Sequence, residues 1–151
     1  MYVIGSNLGS VIEFTLSTAW DVSTNNGAGG VFYVGGQDGG VTDIFFKPDG
    51  TKFYIVGTND TVYQYSCATA WDVSTASYDT KSFSVAAQET APTGLFFKDD
   101  GTQFYIVGTA NDKVYQYSCS TAWDVSTAYY DTKSFSVVTE DSLPQGLFFK
   151  S

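Results

Sequence analysis

The sequence predicts an all-β fold: a β-propeller with three four-stranded blades per chain, completed as a six-bladed ring by homodimerisation. Three observations predict it. Thr-Ala-Trp-Asp-Val-Ser-Thr occurs at 18–24, 69–75 and 121–127, spacing Trp20, Trp71 and Trp123 by 51 and 52 residues. Phe-Phe-Lys recurs at 45–47, 96–98 and 148–150 with the same two steps, and a period near 50 falls in the range of propeller blades. Of the 151 residues, 17% are aromatic and 15 are glycine, a mixture that suits short strands and tight turns rather than helices.

The second repeat shows the elements in order. Residues 40–47 read as a first strand, stopped by the tight-turn sequence Pro48-Asp49-Gly50. Residues 53–57 are the second strand, followed by the turn Thr58-Asn59-Asp60. The third, 61–67, holds Val62, Tyr63 and Tyr65, side chains that favour a pleated, half-buried surface. A longer connection carries Trp71, and 80–85 is the fourth strand. Four antiparallel strands per unit is blade architecture; three hairpins of another β-solenoid are the alternative.

The first repeat opens on its second strand. Residues 1–5 match 53–57, and the missing strand type stands alone as Gly146-Leu147-Phe148-Phe149-Lys150. The expected blades are therefore 1–39 completed by 143–151, then 40–90, then 91–142. Three wedges would each have to turn about 120°, whereas rings of four to eight blades are usual. An open arc would leave sheet faces and a strand edge in water. Two copies head to tail close the circle, each terminal strand completing the other's first blade. A nine-bladed trimer or a piece of a longer repeat protein are the alternatives.

The stretch Lys47-Pro48-Asp49-Gly50-Thr51-Lys52-Phe53-Tyr54-Ile55-Val56-Gly57, followed by Thr61-Val62-Tyr63-Gln64-Tyr65, resembles the Pro-Asp-Gly, Tyr-Val units of bacterial and archaeal surface propellers. It is also similar to tandem repeats of tail-fibre-like and structural proteins of marine phages and metagenomic sequences. Those carry Ser-Thr-Ala-Trp-Asp-Val-Ser-Thr and Gly-Leu-Phe-Phe-Lys as well. The resemblance covers nearly the whole chain. It implies a propeller, a viral origin with a place on the virion, and recognition of a host surface. Gly27 departs from the pattern, standing where the other repeats have Tyr78 and Tyr130.

Charge and residue types narrow the chemistry. A net charge of −9 repels phosphate backbones and anionic lipid, so neither nucleic acid nor membrane is expected as a partner. No run approaches the ~20 apolar residues that span a bilayer, and residues 1–4 lead into a strand without the basic start of a signal peptide. The chain has no histidine, which removes the commonest general base and most zinc sites. The acidic residues largely follow the repeat, so no enzyme, cofactor or metal is expected, and an acidic-site hydrolase is the less favoured rival. Cys67 and Cys119 occupy matching positions, with Leu16 in the third repeat. They read as buried free thiols, too far apart on neighbouring blades for a disulfide.

Two sets of side chains are candidates for binding. Trp20, Trp71 and Trp123 stand beside Asp21, Asp72 and Asp124. An indole face stacks on a pyranose while a carboxylate accepts hydroxyl hydrogen bonds. The same residues can instead anchor a loop, with the aspartate satisfying turn amides. The second set is Asp38, Glu89 and Asp141 with Asn59, Asp60, Asn111 and Asp112, all brought to one end of the blades. They form a polar ring about the channel, able to hold a hard cation or a polar ligand, or they are solvated turns. The expected function is a non-enzymatic, self-assembling module binding glycan through repeated shallow sites. A purely architectural protein is the alternative.

Overall fold

The computed structural model describes residues 1–5 and 9–150. Among them eleven strands form three antiparallel sheets. The first sheet holds β1 (Tyr2–Gly5), β2 (Ser10–Leu16) and β3 (Asn25–Tyr33). The second holds β4 (Val41–Phe46), β5 (Lys52–Gly57), β6 (Thr61–Cys67) and β7 (Ala76–Ser84). The third holds β8 (Pro92–Phe97), β9 (Gln103–Gly108), β10 (Lys113–Cys119) and β11 (Ala128–Ser136). Each strand pairs with its chain neighbour, the meander expected of a blade.

The outer strand departs from the reading. β7 starts at Ala76 rather than at residue 80, because Tyr65, Ser66 and Cys67 pair with Tyr78, Ser77 and Ala76. A register shift between Gln64 and Tyr65 absorbs the extra length, with Thr80 at φ 58 on the bulged side. The connection carrying Trp71 is also more ordered than a loop: it contains the 3-10 turn Val73–Thr75, repeated as Val22–Thr24 and Val125–Thr127.

Packing between blades makes two cores. Phe53, Ile55, Tyr65 and Val73 are buried between the first and second sheets. Phe97, Phe104, Ile106 and Tyr117 are buried between the second and third. Each such side chain contributes ~1.5–3 kcal/mol by leaving water. The same aromatic contact recurs at both interfaces. Phe32 meets Tyr65 edge-on at 5.6 Å, and Phe83 meets Tyr117 at 5.6 Å. The third copy, Phe135, is 69% exposed because no further sheet lies over it. Cys67 and Cys119 are free and buried, and burial, followed by nearby carboxylates, pushes both thiols up to about 11.

The terminal run does not complete the first sheet within one chain. Residues 143–150 form no strand, and Ser151 lies outside the described residues. The run sits instead one blade further round, beside β8. Thr93 Oγ1 donates to Pro144 O at 2.6 Å, as Thr42 Oγ1 donates to Pro92 O at 2.8 Å. Phe148 meets Phe96 at 5.4 Å, as Phe96 meets Phe45 at 5.3 Å. β4 and β8 are therefore successive inner strands of the blades, and this run follows them in the same position without forming a strand. Antiparallel pairing puts the β3–β4 links and β5–β6 turns at one end of the blades. The β4–β5 turns and the tryptophan connections share the other.

Candidate active site

At the tryptophan end, two of the three indoles stack on aromatic neighbours of their own chain, although Trp71 remains 43% exposed. Trp123 stacks on Phe97 at 5.6 Å and on Tyr54 at 6.2 Å, and Tyr54 Oη donates to its carbonyl at 2.8 Å. Trp71 stacks on Phe46 at 5.6 Å and accepts from Tyr2 Oη in the same way. Gly50 and Gly101, at φ 72 and 70, turn the chain under the two rings, and a Cβ on either would collide with the indole. Trp20 has no such seat and is 98% exposed.

The neighbouring aspartates are spent on caps. Asp21, Asp72 and Asp124 each stand before a 3-10 turn and accept from the serine two residues on: Ser23 N at 3.0 Å, Ser74 N at 2.9 Å and Ser126 N at 3.1 Å. Asp124 also takes Lys81 Nζ of the preceding sheet at 2.6 Å. Burial raises its carboxyl, but the bonds from Lys81 and Ser126 outweigh burial and hold it below the usual carboxylate range.

The opposite end gathers the second set, and two members are not solvated turns. Asp38 and Glu89 are fully buried. Asp38 Oδ2 accepts Asn59 N at 2.9 Å and its Oδ1 accepts Gly40 N at 2.8 Å, tying the β3–β4 link to the β5–β6 turn. Glu89 Oε1 does the same between Ala91 N and Ala110 N, at 3.0 and 2.9 Å. Asn59 Nδ2 donates to Gln37 O at 2.6 Å, and Asn111 Nδ2 to Gln88 O at 2.9 Å. Buried oxygens without a partner remain on Glu89, Asp60 and Asp112. Burial first, then Asp38 and Glu89, hold the Asp60 carboxyl above the usual range. Asp141 is exposed and caps Leu143 N at 2.8 Å. Among the described residues no group of three or more Asp, Glu, Cys or His is placed to hold a metal ion. Among the same residues no helix is long and apolar enough to cross a membrane.

A third carboxylate escaped the sequence reading. Asp43 sits half-buried on the inner strand β4. Its Oδ1 accepts Ile44 N at 2.8 Å, and its Oδ2 accepts Leu95 N of the next inner strand at 2.7 Å. Burial outweighs both bonds and holds its carboxyl above the ordinary value. The equivalent residues of the other two inner runs are Gly94 and Gly146. Laying Thr42-Asp43-Ile44-Phe45-Phe46 over Thr93-Gly94-Leu95-Phe96-Phe97 is the signal that exposes it.

No family model matches the chain, and no curated protein matches it. Solved structures do. A Bacteroides fragilis protein named for 6-phosphogluconolactonase activity superposes with a TM-score of 0.64 at 16% identity, over 90% of this chain and 35% of its own. A Pseudomonas aeruginosa periplasmic gluconolactonase gives 0.62 at 12% identity, over 90% and 36%. A Lactobacillus plantarum protein gives 0.63 at 12%, over 89% and 38%. The chain thus spans little more than a third of the length of these neighbours. The likeness overturns the expectation of a non-enzymatic glycan-binding or architectural module, because structures that share this arrangement are named for lactone hydrolysis. At these identities what the likeness shows is the fold: an all-β, β-propeller-like chain.

Proposed function

We propose that the chain is half of a six-bladed propeller, closed by a second copy, that hydrolyses neutral sugar lactones in its central channel. Asp43 is the observation that carries this reading. It stands on an axis-facing strand where the repeat otherwise has glycine, so it breaks the repeat symmetry as a catalytic group does. Its raised carboxyl makes it a stronger base than an exposed aspartate. As the carboxylate, Asp43 takes a proton from a water whose oxygen adds to the lactone carbonyl. The ring C–O bond then breaks, and the departing alkoxide takes the proton back, leaving the open hydroxy acid. The two-fold axis of the ring supplies a second Asp43 on the opposite wall.

Charge selects among lactones. Asp38, Asp60 and Glu89 make one end of the arc acidic, and the chain carries −9 overall. A phosphorylated lactone would meet that field with its own negative charge, whereas an uncharged one would not. The names of the solved neighbours supply the substrate class, and the electrostatics of this chain favour its unphosphorylated member.

Titration of D-glucono-δ-lactone at constant pH, against the spontaneous rate, tests the proposal. The expected result is a rate above the blank that falls ~100-fold or more in Asp43→Gly, within the usual worth of a general base. That substitution installs the repeat's own residue. A folded chain with no rate above the blank overturns the proposal, as does a fully active Asp43→Gly variant.

A further inference from the structure

We infer that a second copy of this chain seats its Trp20 in the recess beside Phe149, Phe96 and Tyr105, by contacts that each chain already makes with itself, in full at Trp123 and in part at Trp71. This rests on the ring closure proposed above and not on lactone hydrolysis.

The recess, about 400 Å³, is lined by Phe96, Lys98, Tyr105 and Phe149 among others. These are the repeat counterparts of Phe45, Lys47, Tyr54 and Phe97. That earlier quartet holds Trp123: Phe45 at 6.4 Å, Tyr54 at 6.2 Å and Phe97 at 5.6 Å between ring centroids, with Lys47 Nζ 5.8 Å above the indole. Phe149 already packs on Tyr105 at 4.2 Å, as Phe97 packs on Tyr54 at 4.3 Å. The seat is therefore assembled one blade beyond the last tryptophan.

The missing occupant stands at the other end of the molecule. Trp20 lies in the same seven-residue segment as its two counterparts, before the same 3-10 turn, with φ 68 against 69 for Trp71 and 64 for Trp123. Its backbone is set for a seat that its own chain lacks. Three polar contacts then follow from those already present. Tyr105 Oη donates to Trp20 O, as Tyr54 Oη does to Trp123 O. Val22 N–H meets Gln116 Oε1, as Val125 N meets Gln64 Oε1 at 3.1 Å and Val73 N meets Glu13 Oε2 at 3.3 Å. Gln116 is already turned for this, since its Nε2 donates to Asp131 at 2.6 Å as that of Gln64 donates to Asp79 at 2.7 Å. Lys133 reaches Asp21, as Lys81 reaches Asp124 at 2.6 Å.

The same repeat fixes the strand register. Ile44 pairs with Ile55 and Phe45 with Tyr54, so Leu147 pairs with Val3, and Phe148 with Tyr2, of the other copy. Phe148 is 85% exposed in the single chain, and among the described residues β1 pairs on one side only. An unrelated partner would have to carry both the tryptophan segment and the strand that fits β1. A second copy carries both.

The 151-residue chain is the material for the test. Light scattering is expected to give twice 16.4 kDa for the wild type. Trp20→Ala is expected to raise the dissociation constant ~100-fold, as loss of a buried aromatic anchor does. At concentrations that keep it dimeric its circular dichroism should match the wild type, because Trp20 touches little of its own chain. Val3→Cys with Leu147→Cys in one chain should cross-link on oxidation into a covalent dimer. A wild type that stays monomeric overturns ring closure and the tryptophan seat together. A dimer that Trp20→Ala leaves unaltered overturns the seat alone, and a dimer that fails to cross-link overturns the register. A trimer or an open filament overturns closure by two copies. A dimer without lactone hydrolysis overturns only the activity.

Discussion

At one inner-strand position the second repeat carries a carboxylate where the others have glycine: Asp43, against Gly94 and Gly146. Burial keeps its carboxyl above the unfolded value even though Ile44 and Leu95 donate to it. Charging it in the folded chain therefore lowers stability. That penalty is absent below the unfolded pKa and develops as pH rises through the folded one. Asp43→Asn removes the charge and keeps an acceptor. Its stability relative to wild type is expected to improve between about pH 3 and about pH 7, measured by urea denaturation at each pH. A difference that does not move with pH would mean that Asp43 is not held in this way. The residue types at this scale were partly legible. The two cysteines read as buried thiols because Leu16 shares their position, and they are buried. Asp43 is not marked by the features that the repeat's copies share, because a symmetry-breaking residue shows only where the copies differ. Asp38 and Glu89 were open to reading as solvated turns because acidic pairs between strands usually are. Their burial comes from amides 20 or so residues downstream, which spacing alone does not reveal.

Strand order and the blade meander followed from hydrophobic runs and turn residues, with bounds near those observed for β4, β5 and β6. The start of β7 did not, because the bulge opposite Gln64 and Tyr65 depends on Thr80 adopting φ 58, a conformation for which threonine gives no sequence signal. The 3-10 turns were legible only as loops. Their caps nonetheless allow a graded prediction within one motif. Asp72 serves its own turn through Ser74 N at 2.9 Å, whereas Asp124 caps Ser126 N and also binds Lys81 across the blade boundary at 2.6 Å. Asp72→Ala is expected to cost about 1 kcal/mol, the usual worth of a cap. Asp124→Ala should cost about 0.5–1 kcal/mol more, a modest increment because Lys81 is partly exposed and its pair is screened. A double-mutant cycle with Lys81→Ala measures the difference, and equal costs for the two aspartates would show that the inter-blade pair contributes nothing.

At the scale of the whole molecule, three sheets make an arc with unlike ends. One end presents Phe135 and the unpaired run 146–150; the other presents Trp20 and the free side of β1. The repeat leads to the expectation that these ends are covered, since three wedges do not fill a circle. The seats of Trp71 and Trp123 were not legible, because they draw on rings of the preceding sheet as well as their own, 25 to 78 residues upstream, and no local pattern marks them. If each copy covers the other's ends, folding and association are one equilibrium, and dilution weakens the folded state by mass action. Tenfold dilution then costs about 1.4 kcal/mol per dimer, or ~0.7 kcal/mol per chain. For a chain of this length that lowers the melting temperature by ~2 °C per decade. Calorimetry from about 1 to about 100 µM should therefore show a steady rise in melting temperature for the wild type. Trp20→Ala should shift the same dependence to higher concentrations. A melting temperature indifferent to concentration over that range would mean that the exposed ends are stable in water as they stand, and the closed ring would fall with it.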